Sequence, residues 1–182
     1  MLILASSSPR RRELLTQAGI PFTVQPADID ETHRPGESPE TFTQRLAREK
    51  AEAVFAGNPD ATILGADTVV VCDEEILGKP LDEADAARML KKLSGRDHQV
   101  ITGVALVSPS GTQTVAEITI VSMRKISEQE IANYIATGEP RDKAGAYAIQ
   151  GGAAPFITQI VGDYDNVVGL PVKVVQQMLS AL

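Results

Sequence analysis

The chain has 182 residues, with 17 Lys and Arg against 24 Asp and Glu, for a formal net charge of −7. A length of 182 residues that are 43% hydrophobic and 23% charged suits one compact domain or two small lobes sharing a core, and excludes a disordered chain. The acidic balance excludes a general binder of nucleic-acid polymer, which needs a broad cationic face, and no apolar run reaches the ~20 residues that span a bilayer.

Residues 2–5 read as a short buried strand, too short and too poor in preceding basic residues for a signal peptide. It runs into Ser6-Ser7-Ser8-Pro9, where a Ser cap ahead of Pro starts a helix over residues 10–18 that stops at Gly19. A second strand is expected within 21–26, then an acidic loop, Asp28-Ile29-Asp30-Glu31. Ser38-Pro39-Glu40 opens a second helix carrying Phe42, Leu46, Ala47, Ala51 and Val54. Residues 62–72 are mostly apolar and β-branched, predicting a central strand interrupted at Gly65-Ala66-Asp67-Thr68. Ile76 and Leu77 are expected to pair back across Asp73-Glu74-Glu75 in a hairpin.

Asp82 caps a third helix through Leu93, ended by Ser94-Gly95. Residues 99–108 and 112–124 are long strand candidates joined by Pro109-Ser110-Gly111. Ser127 and Glu130 form a capping box, and Gly138 ends the helix it starts. Residues 141–152 are rich in Gly and Ala and hold no obvious element. A late strand at 155–161 and a closing amphipathic helix at 171–182 complete an α/β chain with a mixed sheet. The lone cysteine, Cys72, reads as a buried strand thiol, which with the missing signal peptide points to a reducing cytoplasm. His33 and His98 sit in polar settings and are expected at the surface.

Three places can carry chemistry. In Ser6-Ser7-Ser8-Pro9-Arg10-Arg11-Arg12, free N–H groups at a helix start, hydroxyls and guanidinium groups suit a phosphate. A capped helix with a solvated basic surface is the plain alternative. Asp67, flanked by Ile63-Leu64 and Val69-Val70-Val71, is a desolvated carboxylate that suits a metal ligand or general base, or a hydrogen bond to a nearby turn. The acidic group at 28–31 can add an oxygen ligand to Mg²⁺, or be an exposed acidic loop. Lys50 and Lys79 taken singly are ordinary solvated lysines; with Arg10, Arg11 and Asp67 they make a set suited to a polyphosphate. In the third place, residues 142–151, Gln150 offers a donor and an acceptor together, complementary to the imide edge of uracil or thymine, unless the loop is simply structural.

Leu4-Ala5-Ser6-Ser7-Ser8-Pro9-Arg10-Arg11, Leu46-Ala47-Arg48-Glu49-Lys50-Ala51, Leu64-Gly65-Ala66-Asp67-Thr68 and Gly78-Lys79-Pro80 recur in one order with Leu93-Ser94-Gly95-Arg96, the 142–151 loop and Val168-Gly169-Leu170-Pro171. In that order, over nearly the whole chain, they resemble the Maf (septum-formation-inhibitor-like) nucleoside triphosphate pyrophosphatases, and specifically the branch acting on dTTP and UTP. The resemblance implies a mixed β-sheet flanked by helices, two lobes around a central cleft as in ITPase-like proteins, and one such domain over residues 1–182. It implies hydrolysis between the α- and β-phosphates, giving a monophosphate and pyrophosphate, with Mg²⁺ or Mn²⁺ as cofactor.

On that resemblance Asp67 is the catalytic proton acceptor, with Lys50, Lys79 and Glu31 beside it and Asp67 and Glu31 as metal ligands. Ser6, Arg10, Arg11, Thr68 and Gln150 bind substrate, with Arg10, Thr68 and Gln150 tuning base specificity. The expected partner is a free nucleoside triphosphate, with no nucleic-acid polymer and no membrane, and the family suggests a homodimer in the cytoplasm. The cations Arg10, Arg11, Lys50 and Lys79 are expected to converge on one small cleft with Asp67 and Glu31. The alternative function is a nucleotide-binding regulator of cell-division arrest with little or no catalysis; a phosphatase releasing orthophosphate is a third.

Overall fold

A computed structural model describes residues 1–182. In chain order the elements are β1 (Leu2–Leu4), α1 (Pro9–Gln17), β2 (Thr23–Val24), α2 (Pro39–Phe55), β3 (Thr62–Cys72), β4 (Glu75–Leu77), α3 (Glu83–Leu93) and β5 (Asp97–Ser108). They continue as β6 (Gly111–Met123), α4 (Glu128–Ala136), β7 (Ile157–Val161), α5 (Tyr164–Val168) and α6 (Val172–Ser180). The strands form one seven-stranded sheet in the order β2-β1-β3-β5-β6-β7, with β4 paired to β3. β1 pairs parallel with β2 and β3, whereas β3–β4 and β6–β7 are antiparallel, so the sheet is mixed as expected. No helix is long and apolar enough to cross a membrane.

The chain divides into two compact units: Met1–Thr68, Ile101–Glu117 and Gly169–Leu182 form one, and Val69–Val100 and Ile118–Val168 the other. In the first unit, α2 lays Ala47, Ala51 and Val54 against Ile3, Ala5, Ile63, Ala105 and Val107. This apolar burial is the main source of cohesion there. Two glycines set how close α2 comes. A Cβ at Gly65 would lie 2.0 Å from the Ala47 carbonyl oxygen, and one at Gly103 would lie 2.2 Å from the Thr43 carbonyl carbon. The small residues therefore do not interrupt β3, contrary to the expectation at residues 65–68. The strand runs unbroken from Thr62 to Cys72 because Gly65 faces a helix backbone that leaves no room for a side chain.

In the second unit β3 turns into β4 at Asp73 and Glu74, whose φ values of 49° and 66° make a tight hairpin of the kind that matches strand twist. Asp73 is held there by Arg96, and Glu75 by Arg88 and Lys92. The capping box of α4 forms as predicted, with Ser127 Oγ accepting from Glu130 N and Glu130 Oε2 from Ser127 N. Residues 141–152 are not featureless: short 3₁₀ turns occupy Glu139–Asp142 and Ala144–Ala146. Gly145 takes φ 69° against Val70, whose Cγ2 would stand 2.8 Å from an added Cβ. The five-residue helix α5 carries Asn166, which is buried and donates to Val100 O and Thr119 Oγ1.

His98 is a second correction. It is 3% exposed, and its Nε2 lies 2.7 Å from Tyr147 Oη. Burial pushes its pKa down to about 4, so a neutral imidazole is accepted into the interior where a charged one would not be. The polar neighbours in sequence, Asp97 and Gln99, alternate outward along β5 while His98 points inward. His33, by contrast, is exposed as expected, and Cys72 is buried.

Candidate active site

The first unit gathers seven of the nine residues singled out in the sequence: Ser6, Arg10, Arg11, Glu31, Lys50, Asp67 and Thr68. They come from the β1–α1 junction, the segment before α2, α2 itself and β3. Two groups are distinguishable by their bonding.

In the first group an ammonium joins two carboxylates. Lys50 Nζ stands 2.8 Å from Asp67 Oδ1 and 2.8 Å from Glu31 Oε1. The Lys50 and Asp67 side chains are 11% and 13% exposed, whereas Glu31 is 55% exposed. Lys50 reaches this place because α2 presents it on its buried stripe, four residues on from Leu46, rather than to solvent. Asp67 stands in β3 just ahead of the buried run Val69-Val70-Val71, and its own side chain is only slightly exposed. Lys50 occupies Oδ1 of Asp67, leaving Oδ2 as the oxygen able to take a proton.

The second group is built on Arg11. Its Nε donates to Gly169 O at 2.8 Å, its Nη1 to Ala66 O at 2.9 Å and Ser6 Oγ at 3.2 Å, and its Nη2 to Thr68 Oγ1 at 3.1 Å. Four of the five guanidinium N–H groups thus hold protein acceptors. Enclosure lowers the Arg11 pKa from its ordinary value, an effect opposed by the nearby Asp67 carboxylate. The group stays charged, because arginine does not deprotonate in proteins. Arg11 fastens the β1–α1 junction and β3 to the Gly169 turn.

Ser8 caps α1 by accepting from Arg11 N at 3.4 Å, and Ser6 Oγ accepts from Ser8 N at 3.2 Å. No acidic residue lies in the first turn of α1, where Arg10, Arg11 and Arg12 oppose the helix dipole. A junction of this charge, with N–H groups at a helix start, suits an anion. Thr68 Oγ1 also lies 2.8 Å from Thr102 Oγ1. Thr102 is fully buried; its signal in the sequence is a hydroxyl between Ile101 and Gly103 in an apolar strand.

Lys79 and Gln150 belong to the second unit. Lys79 is exposed between β4 and α3. Gln150 is exposed on a turn whose neighbours are firmly anchored: Tyr147 meets His98, Ala148 N donates to Tyr134 Oη at 3.0 Å, and Gly152 N donates to Glu139 Oε2 at 3.0 Å.

Glu31 and Asp67 are the carboxylates available to a cation, and no group of three or more His, Cys, Asp and Glu side chains forms a site. Two hard oxygen donors are of the type that suits Mg²⁺ or Mn²⁺, and do not fit a self-contained Zn²⁺ site.

The family model for Maf-like proteins matches residues 1–182. The dTTP/UTP pyrophosphatase of Koribacter versatilis is 54% identical over 178 residues, 98% of this chain and 92% of that protein. The dTTP/UTP pyrophosphatase of Symbiobacterium thermophilum is 55% identical over 179 residues, with the same shares covered. Among solved structures, the Staphylococcus aureus Ham1 protein aligns with a TM-score of 0.55 at 14% identity, covering 99% of this chain and 98% of that one. A HAM1 protein from Coxiella burnetii has the same TM-score and identity over 100% and 98%. At that identity the likeness bears on the fold alone.

Proposed function

We infer, from the premise that this chain belongs to the Maf-like protein family, that it is a nucleoside triphosphate pyrophosphatase acting on dTTP and UTP. The observation that carries this reading is identity above half, over nearly the full length, to relatives bearing that activity in their names. The geometry of the first unit supports it from the chemical side.

The reaction needs the α-phosphorus exposed to water and the leaving pyrophosphate neutralised. A divalent cation between Glu31, Asp67 and phosphate oxygens would supply part of that neutralisation. The protein supplies the rest. Ser6, Arg10 and the α1 N-terminus hold phosphate oxygens, while Arg11 keeps the junction in shape. Asp67 Oδ2 takes a proton from the attacking water as the new oxygen–phosphorus bond forms and the bond from the α-phosphorus to the bridging oxygen breaks. Lys50 keeps Asp67 and Glu31 at one separation, so that orientation is set before substrate arrives.

Lys79 and Gln150 enter by resemblance: Lys79 as a further cation for the triphosphate, Gln150 as the reader of the pyrimidine imide edge. The firm anchoring around residues 147–152 favours Gln150 in that part, because a base is discriminated only by a group held in place. Thr68, clamped between Arg11 and Thr102, is suited to the same task. A homodimer handling free nucleotide in a reducing cytoplasm belongs to this reading; the single buried cysteine suits the compartment.

The test is a panel of nucleoside triphosphates scored for pyrophosphate with Mg²⁺ or Mn²⁺ present. Release from dTTP and UTP ahead of purine triphosphates is expected. Orthophosphate as product, or tight nucleotide binding with no turnover under any metal and pH, would overturn it.

A further inference from the structure

The 14 residues between β2 and α2, 25–38, contain no helix or strand, yet they deliver Glu31 to Lys50. An unstructured segment of that length cannot hold a carboxylate in one place by its own backbone. The fixing contacts lead to one side chain, Arg45 of α2, which is 6% exposed.

Arg45 Nη2 donates to Thr32 O at 2.9 Å, one residue beyond Glu31. Its Nε and Nη2 grip the two carboxylate oxygens of Glu37, the Nη2 bond being 2.9 Å. Its Nη1 donates to Glu49 Oε2 at 3.1 Å, and the guanidinium lies 5.6 Å from the centroid of the Phe42 ring. Glu37 in turn accepts from Arg34 N at 2.8 Å, and Arg34 Nη2 donates to Glu49 Oε1 at 3.1 Å. On the near side of Glu31, Asp30 Oδ1 accepts from Thr32 N at 3.0 Å and Thr32 Oγ1 at 2.6 Å. The stretch 32–37 is therefore closed at both ends by one guanidinium.

The placement along α2 gives this clasp its meaning. Lys50 bonds the Glu31 side chain, and Arg45, five residues earlier on the same helix, bonds the backbone next to it. A helix rises ~1.5 Å per residue, so the two anchor points are held at a constant spacing by one rigid element. We propose that Arg45 is a positioning residue that sets the place of Glu31 against Lys50 and Asp67. It touches neither nucleotide nor reacting atoms; it acts through the Thr32 carbonyl and Glu37. The proposal rests on the reading of Glu31 as a working carboxylate of the site.

A double-mutant cycle tests it. Arg45→Lys keeps a charge but loses the fork, and Glu37→Gln weakens the clasp from the other partner, should Arg45→Lys fold poorly. Each variant is measured for kcat and KM on dTTP, for direct Mn²⁺ binding by calorimetry without nucleotide, and for deuterium uptake over residues 28–37. The expected result is a roughly 10- to 100-fold loss in Mn²⁺ affinity or kcat, with little change in KM, and faster exchange over 28–37. On a Glu31→Gln background, the same substitutions should cost nothing further in kcat or Mn²⁺ binding. Losses that multiply in the double variants would overturn the role of Arg45 while leaving Glu31 in place. A Glu31→Gln protein with unaltered kcat and Mn²⁺ binding would instead remove Glu31 from the site, and the proposal with it.

Discussion

Lys50 and Asp67 meet at 2.8 Å between the middle of α2 and the middle of β3, an ion pair almost closed to solvent on both sides. Pairs of this kind cost desolvation and are a poor source of stability by themselves. Their value here is directional: Lys50 occupies one oxygen of the Asp67 carboxylate and so fixes how that group is oriented.

Asp67→Asn should leave the fold intact and reduce pyrophosphate release from dTTP by about 10²–10⁴-fold, the usual range for loss of a general base. The amide can still accept from Lys50 through its oxygen, so helical circular dichroism should match the parent. Parental turnover in the folded variant would show that the proton goes elsewhere.

Gln150→Ala should act on selectivity more than on rate. A base edge left unpaired costs about 1–3 kcal/mol, so the preference for dTTP and UTP over other triphosphates should fall by roughly 5- to 150-fold. Competition assays giving kcat/KM for each triphosphate would measure this. An unaltered ratio would place base reading at other residues.

Gly65→Ala tests the close approach of α2 to β3. An added methyl lies 2.0 Å from the Ala47 carbonyl oxygen, so backbone must move, and the melting transition should report a loss of about 3 kcal/mol, the upper end of overpacking costs. Activity should fall with it, because Lys50 and Asp67 sit on the two elements forced apart. A variant with a parental melting curve would mean that α2 does not lie as close as described.

Stability should depend on pH through His98. Its folded pKa is held at about 4 by burial, below the ordinary 6.5, so the unfolded chain binds the proton first. The stabilisation is therefore complete above pH 6.5 and is lost as pH falls from 6.5 toward 4, by on the order of 3 kcal/mol. Melting temperatures collected across that range should decline, and His98→Gln should flatten the part of the slope due to this residue. Equal slopes in both proteins would contradict a buried neutral imidazole.

Much of the site was legible because local chemistry placed it. Ser8 ahead of Pro9 starts α1 by capping alone, and Ser127 with Glu130 starts α4 the same way, so these ends follow from side chains three residues apart. The unbroken β-branched run Val69-Val70-Val71 likewise announces a buried strand end. The partners of Arg11 were not legible. Its bonds run to Ala66, Thr68 and Gly169, positions 55 to 158 residues away, and nothing in the run Arg10-Arg11-Arg12 says which guanidinium turns inward. Arg45 was invisible for the same reason, since its partners lie in a segment without periodicity.

Where elements begin, which faces are apolar and the apolar company of the Asp67 carboxylate all follow from neighbours within a few residues, and so can be read along the chain. That Gly65 continues a strand, that His98 is interior, and that Lys50 links Asp67 to Glu31 emerges with the folded chain alone. Those outcomes are set by what another part of the chain brings alongside: the Ala47 backbone against Gly65, Tyr147 against His98, and a helix carrying Lys50 between two carboxylates 36 residues apart. Side-chain periodicity records which way a residue faces, and it cannot record what waits there.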